Sequence, residues 1–216
     1  MQMTAQRVVR EKSRTASCRC FFKRKNNMSY TDIDICSKAL LKLGAESITS
    51  FSEGTAEAEI SASLYPLAKD GLLSSYPWSF AVAQARLPRL AENPLADYGN
   101  AYLLPTDFLR VISAGSGNQG RGINYRIFEN KLHTDMPEVN LTYIRQVKES
   151  EFPPFFVEAL VAKLSAEICI PLTENNQRAE ALLRQSEEVI RKARLTDSQQ
   201  ATPKGIEGFV LLESRK

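Results

Sequence analysis

Residues 115–120 read Gly115-Ser116-Gly117-Asn118-Gln119-Gly120 and match the pattern G-x-G-x-x-G. Such a loop cradles pyrophosphate where a strand leads into it and a helix N-terminus lies beyond. Here Ile123-Asn124-Tyr125-Arg126-Ile127 comes next, with the alternation of a strand. The spacing therefore predicts a glycine loop between strands, not a dinucleotide site. No Gly-Lys-Ser/Thr occurs, so it is not a P-loop either. His133 is the only histidine, and any Ser-His-Asp or Cys-His arrangement would have to use it. It falls in a predicted strand beside Thr134 and Asp135, and one His next to one Asp does not make a catalytic set. Cys18-Arg19-Cys20 has the wrong spacing for zinc, with His133 alone to assist. The carboxylate pairs Glu187-Glu188 and Glu57/Glu59 fall on polar helix faces and read as solvated surface. Asn140-Leu141-Thr142 is a glycosylation sequon, idle without a secretory signal. The sequence thus offers no catalytic, cofactor-binding or metal-binding set, and function must come from architecture.

The elements follow from periodicity. Thr31 with Asp34, and Ser29 with Asp32, make overlapping capping patterns. Ile33, Cys36, Leu40 and Leu43 then share a helical face, and Gly44 suits the residue past the end. A first helix is predicted over 31–43. A second, over 55–75, carries Ile60, Leu64, Leu67 and Gly71 on one stripe, with a kink expected at Pro66. Pro77 begins a further short helix or turn, because Trp78, Ala81, Val82 and Ala85 are spaced i, i+3, i+4, i+7. Trp78, the only tryptophan, reads as a core anchor.

Residues 88–100 read as loop. The period then changes to two. Leu109, Val111 and Ser113 alternate with polar and outward positions, as do Ile123, Tyr125 and Ile127, and Val139, Leu141 and Tyr143. Glu129-Asn130-Lys131 marks a tight turn. One small antiparallel sheet is predicted over 101–147. Helical spacing returns at Phe152-Pro153-Pro154, with Val157, Leu160, Val161, Leu164 and Ile168 inward and Pro171 as the stop. A last helix is predicted over 174–194, with Ala179, Leu182, Leu183, Ile190 and Ala193 inward. Its final turn would carry Arg191, Lys192 and Arg194. The expected fold class is α+β, mainly α: a helical bundle with a small antiparallel β insertion and an extended C-terminal tail.

Composition sets the outer bounds. The 216 residues suffice for one domain with an adequate core, and no apolar run is long enough to span a membrane. The net charge of +3 hides an asymmetry. Residues 1–27 hold eight Lys/Arg against Glu11 alone, a net of +7, and the remainder is net −4. Residues 1–27 are read as a basic disordered extension lying before a true start at Met28, since their composition is foreign to that of residues 28–216. A basic arm touching nucleic acid and a mitochondrial-type presequence are the other readings. Cys36 and Cys169 fall on apolar faces and read as core residues, and the cysteine usage suggests a reducing, cytoplasmic origin. Residues 196–216 form the tail, whose apolar end Phe209, Val210, Leu211 and Leu212 wants a partner.

Taken in order over 31–203, these pieces resemble the head–tail adaptor (connector) family of tailed bacteriophages, of the tail tubular protein A type. Ala39-Leu40-Leu41-Lys42-Leu43-Gly44-Ala45 with Ile48 and Ser50 is similar to the family's opening "AL-x-x-LG…I-x-S". Pro77-Trp78-Ser79-Phe80-Ala81 is similar to "PW-x-FA". The run from Tyr102 to Val111, with Pro105 and Asp107, is similar to "Y-x-LP-x-D-x-LRV". Leu132-His133-Thr134-Asp135, Leu141-Thr142-Tyr143-Ile144, Phe152-Pro153-Pro154-Phe155-Phe156 and Asp197-Ser198-Gln199-Gln200 complete the set. The resemblance implies a virion protein of the head–tail junction, made in the host cytoplasm and not an enzyme. It implies a ring, usually a dodecamer, beneath the portal. DNA would pass through its channel without sequence specificity, and a tail tube, nozzle or tail terminator protein would dock below. The helical part would form the ring wall, with the β insertion projecting from it. The tail residues Phe209, Val210, Leu211 and Leu212 would meet the portal. Two readings from other classes stand beside it: a nucleic-acid-binding protein acting through the basic N-terminal arm, and a small-molecule enzyme using the glycine loop and His133.

Overall fold

A computed structural model describes residues 30–200. Helix α1 (Asp32–Leu43) starts at a full capping box. The Thr31 hydroxyl accepts from the Asp34 N–H at 3.1 Å, and the Asp34 carboxylate accepts from the Thr31 N–H at 3.0 Å. Each bond satisfies a backbone donor that the helix itself leaves open. Those bonds hold the Asp34 carboxyl below its ordinary pKa. Gly44 ends the helix at φ 75°, where a side chain would be strained.

Helix α2 (Ala56–Ser75) is capped by Thr55 and continues through an exposed Pro66. Its buried face is Ala58, Ser61, Tyr65, Ala68 and Leu72. That differs from the predicted stripe: Leu67 is 71% exposed. The face with small residues and one tyrosine packs closer to its neighbours than the face with the larger aliphatics.

The segment after Pro77 corrects a further expectation. The Ala81 and Val82 N–H groups both donate to the Trp78 carbonyl, which makes one helix-like turn. The chain then extends as strand β1 (Val82–Arg86). The i, i+3, i+4, i+7 spacing at 78–85 therefore covers a turn and a strand, not a helix.

Five more strands follow: β2 (Asn100–Leu103), β3 (Phe108–Gly115), β4 (Arg126–Phe128), β5 (Lys131–Thr134) and β6 (Asn140–Arg145). They form two antiparallel three-stranded sheets, β1-β6-β3 and β2-β5-β4, where one sheet over 101–147 was expected. The first recruits β1 from outside that range, pairing Val82 with Ile144 and Arg86 with Asn140. The β4–β5 hairpin turns on Glu129 and Asn130, both left-handed at φ 46° and 61°, as a two-residue hairpin loop requires.

Helix α3 (Pro154–Thr173) follows a single 3₁₀ turn at Glu149–Glu151. Pro154 occupies its first turn, where a missing N–H costs nothing. Pro171 does not stop it; the helix runs two residues further and ends at Glu174, φ 51°. Helix α4 (Asn176–Ser198) is longer than predicted, so Arg191, Lys192 and Arg194 lie before its last turn. Leu183, expected inward, is 52% exposed, while Ser186 and Asp197 are buried.

The chain is α+β. Helix α3 is buried nearly all round and touches α1, α2 and α4. Two apolar clusters divide along β6 by the period-two rule, and along β3 by the register shift between Phe108 and Arg110, which sets Leu109 and Val111 on opposite sides. Ile144 and Leu109 face the helices, while Leu141, Tyr143 and Val111 face a second cluster with Tyr102 and Leu132 from the other sheet. Sheet β1-β6-β3 is thus a layer between helices and the outer sheet.

Leu40 is fully buried in the helical cluster. Leu40→Ala should cost about 2–5 kcal/mol, from lost transfer energy and the cavity left behind. Leu40→Asp should cost more, since it buries an unpaired charge. Urea unfolding followed by far-UV circular dichroism measures both.

Candidate functional site

The residues singled out by resemblance gather at two places. Pro77, Trp78 and Phe80 sit where α2 gives way to β1. Trp78 is fully buried and its indole N–H donates to the Leu72 carbonyl at 3.0 Å. Around it stand Tyr76 at 5.0 Å, Phe156 at 5.2 Å, and Phe80 and Phe155 at 6.3 Å between ring centroids. Phe80 in turn meets Phe156 edge-on at 5.0 Å. Such pairs contribute about 0.5–1.5 kcal/mol each beyond the area they bury. Trp78 is a core anchor, as its surroundings in sequence predicted.

The turn at Ser79 carries a second, polar fastening. The Asp197 carboxylate is 3% exposed and lies near the end of α4. It accepts from the Ser79 N–H at 2.9 Å and from the Ser79 hydroxyl at 2.6 Å. That hydroxyl also reaches the Gln200 side-chain oxygen at 3.1 Å. Residues 118 apart are thereby joined. Sequence reasoning gave Asp197 no role. The available signal was position: Asp197 follows Ala193 by four residues on the inward face, where a carboxylate needs donors.

Pro105 and Asp107 form the second place. The Pro105 carbonyl accepts from the Phe108 N–H at 3.2 Å, closing a turn ahead of β3. The Asp107 carboxylate accepts from the Tyr143 hydroxyl at 3.1 Å, and its carbonyl from the Gln146 N–H at 2.7 Å. Burial, with this bond second, pushes the Tyr143 hydroxyl pKa up. These contacts fix the start of β3 against the end of β6.

A third polar group joins α2 to the turn before α3. The Glu149 carboxylate accepts from Tyr65 at 3.0 Å and from Lys69 at 2.9 Å. Burial alone would raise its pKa, but the bonds from Lys69 and Tyr65 outweigh it and hold Glu149 below its ordinary value. Burial, then the Glu149 charge, pushes the Tyr65 hydroxyl up.

The sequence candidates for chemistry do not converge. His133 pairs with Ala101 and Arg126 in the outer sheet, its ring 5.6 Å from Phe128. The Asp135 carboxylate accepts from the Gly99 N–H at 2.8 Å. The glycine loop leaves β3 and leads on to β4, so the next element is a strand. Gly115 is held there by crowding, since a Cβ would lie 1.9 Å from the Gln119 carbonyl oxygen. Beneath the loop is a small polar cleft of about 240 Å³, lined by Gln84, Arg86, Asn118, Asn140 and Thr142 among others. Cys36 and Cys169 are buried free thiols, and burial pushes Cys36 up to about 12. Among the described residues no three His, Cys, Asp or Glu are placed to hold a metal ion. Among them, too, no helix is long and apolar enough to cross a membrane. Cys18, Cys20, the basic segment 1–27 and the apolar run Phe209, Val210, Leu211, Leu212 lie outside the described residues. The chain matches no family model and no curated protein.

Two measurements test this framework. Asp197→Ala should destabilise the protein by about 1.5–3 kcal/mol, the range for a hydrogen bond to a charged group. Hydrogen exchange at the C-terminal turn of α4 should accelerate with it, and Ser79→Ala should show a smaller effect in the same place. For pH, the depressed Glu149 pKa gives stability that is present above the unfolded value, near 4.5, and lost as pH falls through the lower folded value. Urea midpoints should therefore drop on acidification through that window, and by less in Lys69→Met.

Proposed function

We propose that this chain is a head–tail adaptor of a tailed virus particle: a structural subunit that forms a ring beneath the portal, extends the DNA channel and presents a platform to the tail. In this reading the helices form the wall, a dodecamer in the family it resembles. The sheets project from it, and DNA passes without sequence-specific contact. The observation that carries the proposal is convergence. Segments 77–81 and 152–156 of the resemblance share one buried cluster, and Asp197 with Gln200 bonds to Ser79 at its edge, although the three lie far apart in the chain.

The arrangement of the remaining residues favours a structural part over an enzyme. The titratable groups with displaced pKa values cap a helix, brace a loop, or tie one element to another. Perturbed groups of that kind serve rigidity where no cleft gathers them. Phe209, Val210, Leu211 and Leu212 are assigned to portal docking, with a tail tube, nozzle or tail terminator protein on the opposite side.

The net charge of +7 over residues 1–27 favours a second reading, nucleic-acid binding through that arm. The two separate on deletion of 1–27. An adaptor keeps its portal binding without the arm, whereas an arm-dependent DNA binder loses a steeply salt-dependent affinity.

Mixing the full chain with the portal ring of its own particle and imaging the product by electron microscopy should show a second ring on the portal. A bare portal would overturn the proposal. Truncation after Thr202 should weaken docking while leaving the fold intact.

A further inference from the structure

Each of the two sheets has two outer strands, and three of these four edges are closed or blunted in ways that keep an edge from pairing with another chain. Residues 88–90 lie along β2: the Leu90 N–H donates to the Ala101 carbonyl at 2.8 Å, and the Leu103 N–H to the Pro88 carbonyl at 3.2 Å. Strand β3 shifts register twice against β6. Strand β4 is three residues long. Strand β1 has none of these devices. It runs for five residues without a proline, in unbroken register with β6. Among the described residues it has no second strand neighbour.

Two hydrogen bonds at the ends of β1 fix the direction of its backbone groups. The Arg145 N–H donates to the Ala81 carbonyl and the Leu87 N–H to the Val139 carbonyl, both at 2.9 Å. The pairing between them is continuous and antiparallel, so bonds to β6 fall at every second residue, at 81, 83, 85 and 87. The N–H and C=O groups of Val82, Gln84 and Arg86 therefore point the other way, to the open edge. The preceding turn takes up one of them, since the Val82 N–H donates to the Trp78 carbonyl at 3.1 Å. The edge keeps the Val82 carbonyl and both groups of Gln84 and of Arg86, and these last two residues are exposed.

The chain beyond Gln200 sets out from beside this strand. The Ser79 hydroxyl donates to the Gln200 side-chain oxygen at 3.1 Å, and Ser79 stands just ahead of Val82, where β1 begins. Residues 201–208 reach up to about 26–29 Å when extended, whereas β1 is only about 17 Å long. The next residues, Phe209-Val210-Leu211-Leu212, thus have the whole of β1 within range. A run that is apolar at every position suits a strand covered on both faces. Sheet β1-β6-β3 is such a layer, with helices on one side and the outer cluster on the other, against which Ala83 and Ala85 are half-buried. The segment before Tyr30 fits less well: its longest apolar run, Cys20-Phe21-Phe22, is shut between Arg19 and Lys23.

We propose that Phe209-Val210-Leu211-Leu212 of the same chain add to β1 as a fourth strand of sheet β1-β6-β3. Main-chain bonds to the outward groups of Val82, Gln84 and Arg86 hold the run, and its side chains extend both apolar faces of the layer. Neither portal nor ring takes part, so the pairing stands apart from the adaptor reading. Under that reading the portal takes the run from β1, and the pairing keeps an apolar segment covered until docking.

Amide hydrogen exchange in the full chain, followed by NMR, tests the pairing. The Gln84 and Arg86 N–H groups gain partners only when the edge is occupied, while those of Ala83 and Ala85, turned to β6, serve as the internal reference. Gln84 and Arg86 should exchange slower by on the order of tenfold in the full chain than in the chain truncated after Thr202 or in Val210→Pro/Leu211→Pro, with Ala83 and Ala85 alike in all three. The slowing should be independent of protein concentration. Three results overturn the proposal. The first is equal rates at Gln84 and Arg86 in all three chains. The second is slowing that fades on dilution, which would put a second copy on the edge. The third is slowing that survives truncation after Thr202 but is lost on deletion of residues 1–27, which would put that segment there. The adaptor reading fails separately. Slow exchange with a bare portal removes the adaptor and keeps this pairing; a ring on the portal built from chains with a fast-exchanging edge removes this pairing and keeps the adaptor.

Discussion

The hydrogen bonds between Asp197 and Ser79 govern how the last helix is held. A buried carboxylate is costly unless donors replace the water it loses. Here the backbone and hydroxyl of one residue supply them, at 2.9 and 2.6 Å. The need matters because α4 buries few apolar side chains completely: Ala179, Ser186, Ala193 and Asp197 are its buried residues, while Leu182, Val189 and Ile190 pack half-buried against the core. Two alanines and three half-buried aliphatics bring less hydrophobic free energy than a fully buried stripe would. The helix is also fastened at its ends. At the other end the Arg178 guanidinium donates to the Leu43 carbonyl at 2.9 Å, meeting an open acceptor at the C-terminus of α1. Between these points Arg194 donates to the Ser75 hydroxyl at 3.1 Å and lies 5.5 Å from the Tyr76 ring centroid. Directional bonds specify one seating where apolar packing would allow several.

The same turn passes constraint to the sheets. Ser79 lies between Trp78, which is locked among aromatic rings, and Ala81, whose carbonyl accepts from the Arg145 N–H at 2.9 Å. The chain thus leaves the helical cluster directly into the edge of β1-β6-β3. Strand β6 is central in that sheet and shows how the two halves become one body. Ile144 belongs to the helical cluster, while Tyr143 and Leu141 belong to the outer one. A register slip by one residue would exchange these faces. The Tyr143–Asp107 bond and the bulges in the β3–β6 pairing hold the register from the side of β3.

The sequence made local, strongly punctuated features legible. Thr31, Asp34 and Gly44 bound α1 by capping chemistry that operates within a few residues. Pro153 and Pro154 open α3 for the same kind of reason, and Glu129-Asn130 turns a hairpin because few residues accept left-handed φ. Trp78 was readable as an anchor from its size and its apolar neighbours. Features set by distant partners were not readable. Val82 to Arg86 is a strand because β6 needs an antiparallel neighbour, and no local period records that. The division into two sheets depends on where strands 101–103 and 140–145 find partners. Asp197 looks like any helix-surface carboxylate until Ser79 is brought beside it. The candidate chemistry of His133 and the glycine loop was separable in sequence because each lacked its second half.

Leu67 is the most instructive error. Periodicity placed it inward with Ile60 and Leu64, yet the core uses the adjacent face, with Ala58, Ser61, Tyr65, Ala68 and Leu72. A helix turned toward its small residues can approach α1 and α3 closely, and Tyr65 then reaches Glu149. That choice leaves the larger side chain outside. Single exposed leucines are ordinary on protein surfaces. Leu67 is one of these, for Ile60 and Leu64 on the same stripe still pack half-buried against the helical cluster. Helix α3 shows the complementary condition. It is apolar almost all round and enclosed by α1, α2 and α4. A helix so enclosed has no face to choose, whereas α2 must turn one of two apolar stripes fully inward, and the period alone does not say which.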